Sequence, residues 1–100
     1  MRLIVSERDD IAACVRDARA RLGTDDSLVV VIRESSDSLF AAQARAAIAP
    51  LAIEAAPVTR INAVLSHNGA RAADVEAAVA FLEQARSTTG QVIEIHQRRR

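Results

Sequence analysis

No lysine, tyrosine or tryptophan occurs in the 100-residue chain, and Cys14 is its single cysteine. One cysteine excludes an internal disulfide. Phe40 and Phe81 are the only Phe, Tyr or Trp side chains, which leaves no stacking platform for bases. A formal net charge of zero provides no basic footprint either, so nucleic acid is not expected as a partner. The three glycines, Gly23, Gly69 and Gly90, stand far apart at the ends of elements, so no G-x-G-x-x-G turn can be assembled from them. No apolar run approaches the roughly 18 residues of a membrane span, and neither a leader nor an acyl-anchor signature is seen. On these absences a soluble cytoplasmic protein with no membrane partner is expected.

What remains is rich in small aliphatic residues. Half the chain is apolar, and Ala, Val, Ile and Leu supply nearly all of it, so a single close-packed aliphatic core is expected. "RLIVS" (2–6) reads as a short strand that stops at Glu7-Arg8-Asp9-Asp10, where Asp9 or Asp10 can cap a helix. Ile11, Cys14, Val15, Ala18 and Leu22 then recur at helical spacing with arginines and Asp17 between them, up to Gly23. "SLVVVI" (27–32) is apolar without alternation, as in a central parallel strand covered on both faces.

A second helix, capped by Ser35, Ser36, Asp37 or Ser38, is expected to run to about Ala56, with a kink or break near Ala46 to Pro50 because Pro50 removes a backbone donor. "TRINAVL" (59–65) reads as the third strand and "SHNG" as the turn after it. The third helix starts with Asp74 as its cap or a turn earlier at Ala70, and "QVIEI" (91–95) is the fourth strand. The order β-α-β-α-β-α-β implies a parallel sheet.

Two of these passages carry a resemblance. "LAIEAAPVTRINAV" (51–64) and "ADVEAAVAFLEQARSTTGQVIEI" (73–95) are similar to the helix-to-strand passage and to the last helix and strand of short-chain dehydrogenase/reductases. "DSLVVVI" resembles that family's fifth strand, and residues upstream fit its fourth strand-helix unit loosely. The resemblance implies a minimal Rossmann-like α/β domain over 1–97, with a polar Arg tail at 98–100, equivalent to the C-terminal four strands of a seven-stranded sheet. Sequential strand order and right-handed crossovers would put every helix on one face. The family's last crossover is an exception, and the same exception here would give helices on both faces.

The family's catalytic Tyr and Lys have no counterpart. Ungapped matching from Pro57 puts Asp37 and Ala41 at their positions; matching "FAAQA" puts Phe40 and Ala44 there. Phe and Ala cannot supply the proton donor of lowered pKa that hydride transfer to a carbonyl requires, and neither alignment restores the family's Tyr beside Lys. The chain is therefore not expected to be active alone, and NAD(P) is expected only if a partner supplies the binding half.

Other reactive candidates are few. Ser35 and Ser36 lie near where the family keeps its catalytic Ser, but helix capping is the favoured reading of both. His67 and Asn68 lie at the carboxyl edge, where His67 with no carboxylate nearby in sequence reads as a solvent-facing turn residue. His96 belongs to the tail, Cys14 to helix packing, and no spacing of these groups points to a metal. The second helix is apolar nearly all round, and the resemblance implies that the first two helices pack on their copies across a two-fold axis. With the "LIVS" strand left at an edge, the sequence points to a homodimer or to a hetero-oligomer with a full-length short-chain dehydrogenase. The alternative is a 3-oxoacyl reductase-like oxidoreductase subunit completed by another chain.

Overall fold

A computed structural model describes residues 1–6, 8–24, 26–33 and 38–96. Four parallel strands form one sheet in the order β1-β2-β3-β4: β1 (Arg2–Val5), β2 (Ser27–Arg33), β3 (Arg60–Ser66) and β4 (Val92–Ile95). Helices α1 (Ile11–Arg19), α2 (Ser38–Ala55) and α3 (Ala72–Gln84) make the three crossovers. The chain is thus a minimal Rossmann-like α/β arrangement.

The continuous apolar run of β2 is explained by cover on both faces. Leu28, Val30 and Ile32 pack with Ile61, Ala63 and Leu65 of β3 against α1 and α2, while Val29, Val31 and Val64 meet Ala78, Val79 and Leu82 of α3. Since the strands keep stepping the same way while α3 passes over the opposite face, the last crossover has the opposite hand from the first two. The layer of α3 does not extend over β1, and Ile4 on that flank is 51% exposed.

Helix termini depart from the sequence expectation in two places. Asp10 does cap α1, its Oδ1 accepting from the Ala13 amide at 3.2 Å, but the helix stops at Arg19 rather than running to Gly23. There the bonding tightens to i−3 contacts, Arg21 to Ala18 and Leu22 to Arg19. In α3 the cap position is Arg71, which makes no side-chain capping bond, and Asp74 lies inside the first turn. Its carboxylate there complements the helix dipole instead.

Pro50 does not break α2, which is continuous from Ser38 to Ala55. Both Pro50 and Ala46, whose carbonyl loses its donor, lie on the exposed side. Water can satisfy that carbonyl, and the following turn is held by buried Leu51, Ala52 and Ala55. Of the cap candidates, Ser35, Ser36 and Asp37 lie outside the described residues, as do Arg98 to Arg100.

One polar side chain inside the sheet organises the return from α3. Asn62 is wholly buried; its Nδ2 donates to the Thr88 carbonyl at 2.9 Å and its Oδ1 accepts from the Gln91 amide at 3.0 Å. Beside it, the Gly90 and Thr89 groups bond the backbone of Ile61. Together these contacts fix where β4 begins.

Candidate functional site

Parallel sheets of this kind bind ligands beyond the carboxyl ends of their strands. Here that edge is formed by Ser6, Arg33, Ser66 to Asn68 and Ile95 to His96. Ser35 and Ser36, which would stand beyond β2, lie outside the described residues. Asn68 is exposed and lines a cavity of about 380 Å³ together with Arg2, Arg33, Ser66, Gly69 and Glu76. Across it Arg2 donates to both carboxylate oxygens of Glu76, each bond being 2.7 Å, so β1 is tied to α3. The Arg2 hydrogen bonds are the main reason that the Glu76 carboxyl is held below its ordinary range.

His67 is more constrained than a turn residue in solvent. Its side chain is 18% exposed, its backbone amide donates to the Ile95 carbonyl at 2.9 Å, and its Nε2 lies 2.9 Å from Oε1 of Glu94. The His96 ring stacks on it with centroids 4.1 Å apart and planes inclined by 12°. Arg45, from α2, donates to the same Glu94 oxygen at 2.6 Å. The contact with His67, followed by the charge of Arg45, holds the Glu94 carboxyl below its ordinary range despite partial desolvation.

This cluster was hidden in the sequence by distance along the chain. The β3/β4 register pairs Ala63 with Val92 and Ser66 with Ile95, an offset of 29 residues, and His67 and His96 continue that same offset. Glu94, paired with Leu65, shares their face, beneath α2. Only the register reveals the group; no local motif marks it.

Three of the four positions that the resemblance aligns with the family's catalytic pair lie in packing. Phe40 is half-buried against the α1/α2 core, Ala44 is 1% exposed within it, and Ala41 is half-buried. Asp37 lies outside the described residues.

Nor does the start of α1 suit a dinucleotide. Its first turn is capped by Asp10, and the Asp9 carboxylate accepts from the Ser6 amide at 2.8 Å, so two anionic groups stand where a pyrophosphate would need free N–H donors. The residues present do not fit that group at this turn.

The outward side of α2 has its own pattern. Leu39, Ala42, Ala46, Ala49 and Ile53 are all exposed, at alternating spacings of three and four, and form one continuous apolar stripe. Leu39 is 63% and Ile53 76% exposed. Two polar neighbours are engaged within the chain: Arg45 with Glu94, and Glu54 with Arg16, whose Nε and guanidinium nitrogen donate at 3.1 and 3.0 Å. Among the described residues, no helix is long and apolar enough to cross a membrane.

A family model described as short chain dehydrogenase-like protein matches residues 7–95. No curated protein and no solved structure matches the chain.

Proposed function

Because the chain belongs to the short chain dehydrogenase-like family, we propose that it is a non-catalytic member acting through association, as a homo-oligomer or as an accessory subunit of a full-length reductase. The α2 stripe carries this reading. A three-four alternation is the seam of helices that pack side by side, and its alanines allow close approach of a second backbone. In a lone domain that stripe would leave Leu39 and Ile53 in water. The packing of Phe40, Ala41 and Ala44, and the acid-capped α1 turn, support a role without chemistry of its own.

The test is the assembly state of the intact chain, alone and mixed with a full-length short-chain reductase. A dimer, or a stable co-complex, is the expected result. Ile53→Glu with Ala46→Arg should abolish association while leaving the circular dichroism spectrum unchanged. The second reading, an NAD(P)-dependent oxidoreductase subunit completed by a partner, draws on the open cavity beside the β1 flank. NADPH titration separates the readings. Binding that appears only with the partner, and is weakened by Arg33→Ala in this chain, favours the second, whereas insensitivity of the complex to Arg33→Ala favours the first.

A further inference from the structure

The paired ends of β3 and β4 carry a donor set that association through α2 leaves unexplained. His67, Glu94 and His96 each offer one ligand atom, and those atoms lie within 4.8 Å of one another. We propose that these three side chains bind a divalent transition-metal ion of the zinc class, joining the end of β3 to the end of β4 with one coordination position open to water.

The donor chemistry selects the ion. Two imidazoles and one carboxylate suit zinc and its neighbours, while calcium and magnesium prefer an all-oxygen shell. Donors about 2.0–2.2 Å from a tetrahedral ion stand roughly 3.4 Å apart. His67 and Glu94, at 2.9 Å, need only a slight separation. The remaining closure falls to His96, which is exposed and one residue past β4, so its ring can turn out of the stack to converge on the ion. The backbone is already set, because the β3/β4 register and the His67 to Ile95 hydrogen bond fix the two histidine positions side by side. Arg45 opposes the ion. It donates to the Glu94 oxygen that His67 also meets, and its charge repels a cation at that point.

That opposition gives the site a signature beyond mere histidine affinity. Zinc chloride titrated by calorimetry into the tag-free intact chain should bind at one equivalent, and magnesium chloride should not bind. His67→Ala and His96→Ala should each weaken zinc binding by more than about tenfold, a scale set by losses seen even for supporting partners of metal ligands. Arg45→Ala should tighten it several-fold, and Cys14→Ser should leave it unchanged. Since the chain has only two histidines, NMR of the imidazole Cε1–H groups reads the site in the unmodified protein whether or not a variant folds. Both signals should move together up to one equivalent of zinc. Signals unmoved at one equivalent, an equal response to magnesium, or binding unaltered in folded His67→Ala would overturn the proposal.

Discussion

Asn62 Oδ1 accepts the Gln91 amide at 3.0 Å inside the sheet, and through this bond a residue in the middle of β3 determines where β4 starts. Asn62→Ala takes the partner from both the Gln91 amide and the Thr88 carbonyl at a part-buried place in the sheet. The expected loss is about 1–3 kcal/mol, seen in urea unfolding as a lower midpoint. Asn62→Asp should be no better, because it removes the donor to Thr88 and buries a charge.

The two sides of α2 should respond in opposite ways. Ile48 is wholly buried and Ile53 is 76% exposed. Ile48→Ala should cost about 2–4 kcal/mol through the cavity it leaves. Ile53→Ala should change the unfolding of dilute, dissociated protein by less than about 0.5 kcal/mol, while weakening association measured by sedimentation.

Gly90 should not tolerate a side chain, for conformational reasons more than steric ones. Its φ is +78°, and a Cβ placed there would lie 3.6 Å from Ala52 Cβ, an ordinary contact. Gly90→Ala should therefore cost about 1–2 kcal/mol from the left-handed backbone alone. The measurement is the shift in thermal midpoint, with Ala52→Gly in the same background giving no rescue.

Acid should weaken the fold through its arginine-bound carboxylates. Glu54 and Glu76 are held below their usual value of 4.5, chiefly by hydrogen bonds from Arg16 and Arg2. A depressed carboxyl contributes stability that is complete above its unfolded pKa and is lost as pH falls through its folded one. Both pairs are exposed, so their share is small. The urea midpoint should fall below pH 4.5, and the Glu54→Gln, Glu76→Gln protein should fall less steeply over that range. Parallel curves for the two proteins would count against this assignment.

Element order and sheet class were legible in the sequence because they depend on local pattern: the unbroken "LVVVI" run, the helical spacing from Ile11, the turn chemistry of "SHNG". The opposite placement of α3 came from the family resemblance rather than from handedness rules, which point the other way. Asn62, His67 and His96 were not legible in their roles, since each depends on a partner about 30 residues away brought in by strand register. Pro50 misled because its cost depends on whether Ala46 faces water, a property of tertiary packing and not of the proline.

On the proposed reading, this family member works by association through the α2 stripe. Sedimentation velocity of the intact chain at micromolar concentration, alone and with a full-length short-chain reductase, decides the matter. The expected species is a dimer or a co-complex that Ile53→Glu with Ala46→Arg dissolves into folded monomer. A single monomeric species under both conditions would contradict it.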